Sequence, residues 1–177
     1  IGTADAVSLY IASPTAPNAD ALVTADFVEV LSNDNNRQIG IVGRCNPTAA
    51  TFYMARITRG LGVSPVLQLF RVVNGTLTQL GTSFALTIAQ GAIRTIGLRM
   101  VGTTISAEID GVARITVTDA NITAAGRVGI RAYDFLGATP TTHWHLTRLT
   151  AENLAVEPPP TGMTFTPATV DENAPAG

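Results

Sequence analysis

The sequence predicts an all-β fold, a two-sheet antiparallel β-sandwich or jelly roll, and three features of its patterning carry that reading. Apolar residues alternate with polar ones at period two, Gly, Asn and Asp break the alternation at short intervals, and the spacing of amphipathic helices is nearly absent. Short alternating segments separated by frequent turn residues are what a sandwich requires.

Taken in order, the first expected strands are Ala6 to Ile11, Leu22 to Leu31, Gln38 to Cys45, Phe52 to Arg59, Pro65 to Val73 and Thr76 to Leu86. Arg94 to Val101, Thr104 to Ile109, Val112 to Thr118, Arg127 to Tyr133 and His143 to Glu152 complete the set. A single helical turn is expected near Thr118 to Asn121.

Asn74-Gly75 stands between two alternating runs and reads as a two-residue type I′ turn, because both of its central positions need positive φ. That register sets Val73 opposite Thr76 and Leu69 opposite Leu80. Around Asp110-Gly111 a two-residue loop would pair Ala107 with Arg114 and Ile105 with Thr116, putting polar residues on an apolar face. A three-residue loop with Gly111 as a left-handed bulge would instead pair Ala107 with Ala113 and Ile105 with Ile115. The hydrophobic pattern favours the second arrangement.

Composition narrows the chemistry. The 177 residues are 46% hydrophobic and 14% charged, well under the charged fraction of about 25% in ordinary domains. All 11 basic residues are Arg, so Schiff-base and lysine general-base mechanisms are excluded. A net charge of −2 argues against a nucleic-acid partner, and no apolar run approaches the roughly 20 residues of a membrane-spanning helix. Cys45 is the single cysteine and cannot close an internal disulfide; it reads as a small buried apolar residue. The opening at Ile1 lacks a signal-peptide pattern, as expected of a processed chain or of part of a longer one.

Composition shifts after Leu154. Residues 1–156 are expected to form the sandwich, and 157–177 a proline-rich linker, Glu157-Pro158-Pro159-Pro160-Thr161-Gly162, with an extended tail leading to a further domain. The tail from Met163 onward is expected to dock on another chain.

A family resemblance rests on seven motifs in order: Gly40-Ile41-Val42-Gly43-Arg44, Phe52-Tyr53-Met54-Ala55-Arg56, Leu69-Phe70-Arg71-Val72-Val73-Asn74-Gly75, Leu98-Arg99-Met100-Val101-Gly102, Ile109-Asp110-Gly111, Val117-Thr118-Asp119 and Gly126-Arg127-Val128-Gly129-Ile130-Arg131. Over residues 20 to 153 they resemble concanavalin A-like, laminin-G-like sandwich domains, a superfold that hosts lectins, glycan-binding modules, glycosidases and structural domains. The final residues, Thr169 to Gly177, resemble the opening strand of a cadherin-like repeat, in which a Glu at the position of Glu172 helps bind calcium between domains.

Candidate sites follow from residue chemistry. A pyranose stacks on a ring while its hydroxyls take planar hydrogen-bonding partners. Arg44 and Tyr53, expected as cross-strand neighbours on one face, Arg131 and Tyr133, expected on one strand face, and Trp144, the only tryptophan, are the glycan-lining candidates. Calcium is the candidate ion, with Asp34 and Asn36 of the oxygen-rich run Ser32 to Asn36, and Glu172, as its ligands. Asn/Asp runs also serve as plain turns. His143 and His145 share one face around Trp144 but lack neighbouring Cys or carboxylate, and read as surface polar residues.

Glu108-Ile109-Asp110 invites an enzyme test, since glycosidases of the resembling fold add a third acid on the same strand. Here Val112 and Ala113 occupy those positions. No catalytic residue is assigned.

The sequence therefore points to a non-enzymatic binding or adhesion module of a larger extracellular, cell-surface or virion fibre protein that contacts glycans or a cell surface. The alternative is an assembly or decoration domain that holds neighbouring protein subunits in an oligomer without a small ligand. Neither reading involves nucleic acid or membrane insertion.

Overall fold

The structure, a computed structural model, describes residues 6–11, 18–29, 37–59, 64–89, 91–134 and 144–154. The linker and tail expected over 157–177 lie outside the described residues.

Among the described residues there are strands and no helix. In chain order these are β1 (Ala6–Ile11), β2 (Ala21–Glu29), β3 (Arg37–Asn46), β4 (Thr51–Arg59), β5 (Val66–Val73) and β6 (Thr76–Ala85). They continue with β7 (Ile93–Val101), β8 (Thr104–Ile109), β9 (Val112–Thr118), β10 (Arg127–Asp134) and β11 (Trp144–Asn153). All pair antiparallel, in a six-stranded sheet of order β1-β10-β3-β4-β5-β6 and a five-stranded sheet of order β11-β2-β7-β8-β9. Each expected strand is present, with ends shifted by a residue or two.

Period two assigns the faces. Ile39 and Ile41 of β3, Tyr53, Ala55 and Ile57 of β4, and Leu67 and Leu69 of β5 turn inward, meeting Val23, Ala25 and Phe27 of β2 and Ile96, Leu98 and Met100 of β7. This is one continuous core. A second apolar cluster, Val42, Cys45, Phe52, Met54, Phe70 and Val72, lies on the opposite, outward face of the six-stranded sheet and is also buried. Its strands β3, β4 and β5 are thus apolar on both faces along half their length.

The hairpin at Asn74-Gly75 forms as expected. Asn74 has φ 48 and Gly75 φ 78, Val73 pairs with Thr76, and Leu69 pairs with Leu80. The β8–β9 hairpin differs from expectation. Its tip is a two-residue turn, with Asp110 at φ 52 and Gly111 at φ 75, so Ile109 pairs with Val112 and Glu108 with Ala113. The correction comes further from the tip, where the register shifts past Arg114 and Ala107 pairs with Ile115, Ile105 with Val117. The apolar face is kept by a bulge in the strand in place of a bulge in the loop.

The helical turn expected near Thr118 to Asn121 does not form. Asp119 Oδ1 accepts from the Asn121 backbone N–H at 2.9 Å, an Asx-type turn that competes with helix. The chain then runs without regular structure to Arg127.

Candidate functional site

One end of the sandwich is tied by buried polar groups. The β3–β4 register shifts between Gly43 and Asn46, and Arg44 there takes φ 46, which swings its side chain inward. Its Nε donates to the Ala19 carbonyl at 2.8 Å, Nη1 to the Ile122 carbonyl at 2.7 Å and Nη2 to the Gly102 carbonyl at 2.8 Å. Asp20 Oδ1 stands 3.4 Å from Nη2. Burial lowers the pKa of Arg44, opposed by Tyr53 and Asp20.

Tyr53 belongs to the same interior. Its hydroxyl donates to Asp119 Oδ1 at 2.6 Å and accepts from the Ile122 backbone N–H at 3.2 Å. Burial first, then the bond to Asp119, pushes its pKa up to about 12. Burial alone would raise that of Asp119. The hydrogen bonds from Tyr53, Asn121 and Arg71 outweigh it and hold the carboxyl below its ordinary value.

Arg44 and Tyr53 are therefore neighbours, with the guanidinium carbon 6.0 Å from the ring centroid, but both are buried. They close the end of the core and do not line a surface. They share one face, the inner one: Tyr53 by the alternation it keeps with Ala55 and Ile57, Arg44 because the irregularity between Gly43 and Asn46 turns it inward.

The outward face of the six-stranded sheet carries a different constellation. Arg56 of β4 lies over Phe70 of β5, its guanidinium carbon 4.3 Å from the ring centroid. Nε and Nη2 of Arg56 both donate to Gln68 Oε1, at 3.2 and 2.7 Å, and Nη1 donates to Gln38 Oε1 at 2.8 Å. Gln68 Nε2 in turn reaches Gln79 Oε1 and Ser83 Oγ, each at 3.3 Å. Gln79 is exposed; Gln38, Arg56, Gln68 and Ser83 are half-buried. Burial, and then the charge of Arg131, lowers the pKa of Arg56 to about 10.

Arg131 of β10 joins this face. It pairs with Gly40 of β3, which pairs on its other side with Arg56, so the two arginines stand in one row across the sheet. Tyr133 pairs with Gln38, two residues along β10 from Arg131, and Trp144 pairs with Glu29 at the edge of the five-stranded sheet; the side chains of Tyr133 and Trp144 lie outside the described residues. Arg131 and Tyr133 thus belong to one strand, β10, of the six-stranded sheet, and Trp144 to the other sheet.

The remaining candidates separate. Glu108 is buried and accepts from Arg99 Nε at 2.7 Å; Asp110 Oδ1 accepts from the Thr95 backbone N–H at 2.9 Å and Oδ2 lies 2.7 Å from Arg94 Nε. Both carboxylates are held in structural bonds. Burial raises the pKa of the Cys45 thiol, against the opposing charge of Arg127. Asp34, Asn36, Glu172 and His143 lie outside the described residues, as does the side chain of His145. Among the described residues no three His, Cys, Asp or Glu side chains cluster as metal ligands.

Arg56, Gln68, Gln79 and Gln38 were not singled out from sequence. A signal existed for two of them, since the Asn74-Gly75 register places Gln79 opposite Phe70 and hence on the face that Gln68 shares.

No family model matches the chain, and no curated protein sequence matches it. Solved structures do. The carbohydrate binding module CBM66 from Bacillus subtilis superposes with a TM-score of 0.66 at 15% identity, over 86% of this chain and 85% of that one. The fold is a jelly-roll β-sandwich. Sheep galectin-11, solved with glycerol, superposes at 0.54 with 6% identity over 86% of this chain and 100% of its own. The galectin LEC-6 of Caenorhabditis elegans does so at 0.52 with 10% identity, over 83% and 96%. In this jelly roll the polar cluster occupies the outward face of the six-stranded sheet, and the Arg44–Tyr53–Asp119 tie closes one end.

Proposed function

We propose that the chain is a non-enzymatic glycan-binding module and that the outward face of its six-stranded sheet is the binding face. The observation that carries this reading is the clamped guanidinium of Arg56. A saccharide presents adjacent hydroxyls that need planar, paired donors, and a donor whose orientation is fixed beforehand loses little entropy on binding. Three of the five N–H groups of Arg56 are engaged by Gln68 and Gln38, which leaves one on each Nη for a ligand. Gln79, Ser83 and Arg131 supply further polar contacts within reach of the same face.

Two observations support this reading, the first against an assembly role and the second against glycosidase chemistry. Among the described residues the exposed large apolar side chains are divided: Val73, Leu77 and Val101 sit near one end of the sandwich, Ile93 and Val112 near the other. Divided between two ends, the described ones do not join into a single extended contact patch. The carboxylates tested for glycosidase chemistry are committed to Arg99, Thr95 and Arg94. The module's setting, in this reading, is a larger extracellular or surface assembly, a fibre among them.

A glycan-array screen of the full chain tests the proposal. We expect saccharide binding that Arg56→Ala removes while the melting temperature is retained. Absence of binding to any saccharide, or binding indifferent to Arg56→Ala, would contradict it.

A further inference from the structure

One group fixes the polarity of the whole amide network on the outward face. A guanidinium can only donate, so Gln68 must turn its Oε1 to Nε and Nη2 of Arg56, which spends both lone pairs of that oxygen. Gln68 Nε2 is thereby aimed at β6, where it donates to Gln79 Oε1 and Ser83 Oγ. Gln79 in turn spends its Nε2 on the Gly81 carbonyl, at 3.2 Å, and on Ser83 Oγ, at 3.1 Å. Ser83 Oγ therefore accepts from two N–H groups and has only its own hydrogen left to give. On the β3 side the same logic turns Gln38 Oε1 to Arg56 Nη1 and its Nε2 away.

What remains for a ligand is mostly donors. One N–H on each Nη of Arg56, both on Gln38 Nε2, which has no described partner, and the Ser83 hydroxyl are unspent. Against them stand single lone pairs on Gln38 Oε1 and Gln79 Oε1. The strands supply no stronger acceptor, since β3, β4, β5 and β6 hold no Asp or Glu between them. A free sugar hydroxyl both gives and accepts a hydrogen bond, so a face short of acceptors leaves part of it unpaired. An acyl ester on the same oxygen replaces that O–H with a carbonyl, which only accepts. Phe70 beneath Arg56, and Met54 two residues before it, make the surroundings apolar, and there an anion would lose hydration that a neutral carbonyl does not need.

Resting on the glycan-binding reading, we propose that this face selects O-acetylated saccharides over their hydroxyl forms, the ester carbonyls accepting from Arg56, Gln38 and Ser83.

A polysaccharide array carrying acetylated xylan, acetylated glucomannan, unesterified neutral glycans, a polyuronate and a sulfated glycan, probed with the full chain before and after mild alkali, tests the assignment. Alkali removes the esters and leaves the glycosidic bonds intact. Binding is expected on the acetylated glycans and should fall about three- to tenfold after alkali. The fall should persist at raised salt, because the ester is uncharged. Gln38→Glu keeps an acceptor for Arg56 but replaces two donors by lone pairs, and Ser83→Ala removes the hydroxyl donor. Each should shrink the alkali-sensitive part of the binding, with thermal melting confirming that both variants are folded. Binding that alkali leaves unchanged or strengthens, binding confined to unesterified glycans, or a preference that neither variant alters overturns this inference and leaves the glycan reading standing. Stronger binding to the polyuronate or the sulfated glycan than to the acetylated ones overturns it as well. An array blank both before and after alkali sinks both readings.

Discussion

Gln68 Oε1 accepts from Nε and Nη2 of Arg56, at 3.2 and 2.7 Å, and so fixes the plane of that guanidinium over Phe70. The consequence is a binding group ordered before any ligand arrives. Gln68→Ala leaves Arg56 held by Gln38 alone. Saccharide affinity should fall by about 0.5–1.5 kcal/mol, the cost of ordering one long side chain on binding, while stability changes little. Calorimetric titration beside thermal melting separates the two effects.

Tyr53→Phe removes the hydroxyl that joins Asp119 to the Ile122 backbone N–H. Two buried groups lose a partner, and the expected destabilisation is about 1–3 kcal/mol. Urea unfolding should show a lower midpoint at unchanged slope. A shift too small to resolve would mean that the tie contributes nothing to closing this end of the core.

The same pair sets opposite pH limits. Asp119 has its folded pKa held below the ordinary value, so its contribution is present above the unfolded carboxylate pKa of about 4 and is lost as pH falls through the folded value. Tyr53 has its folded pKa raised to about 12. Its contribution is intact below the unfolded tyrosine pKa of about 10 and is lost as pH rises from there towards the folded value. Phenolate absorbance should therefore show Tyr53 titrating later than an unperturbed tyrosine, and Tyr53→Phe should flatten the alkaline loss of stability. Asp119→Asn should flatten the acid loss.

Gly75 has φ 78 with open space around its Cα. Gly75→Ala therefore meets backbone strain without a clash, and should cost about 1–2 kcal/mol. Equilibrium unfolding of this variant checks the type I′ turn directly. Stability at or above that of the native chain would show that the turn is of another kind.

The strands were legible in sequence because each sheet has an inward face that alternates cleanly, as Val23, Ala25 and Phe27 do on β2. The β5–β6 register was legible because Asn-Gly admits few turn geometries. The β8–β9 register was half legible: the apolar pattern demanded a bulge, but whether it sits in the loop or at Arg114 depends on packing across the sheet. Faces of β3 and β4 were harder. Phe52, Tyr53, Met54 and Ala55 are all buried, so alternation there does not distinguish inside from outside, and the bulge at Arg44 reverses it again. Arg56 is not legible in the sequence because its partners Gln38 and Gln68 come from flanking strands, a relationship that exists only once β3, β4 and β5 are aligned.

The most direct test of the account is amide NMR of the isotope-labelled chain, titrated with the saccharide that binds best on the array. The account predicts that shifts concentrate on Gln38, Gly40, Arg56, Gln68, Gln79 and Arg131, across four adjacent strands and the β6 edge of one sheet. Shifts confined to the five-stranded sheet, or to the closed end around Tyr53 and Asp119, would contradict it.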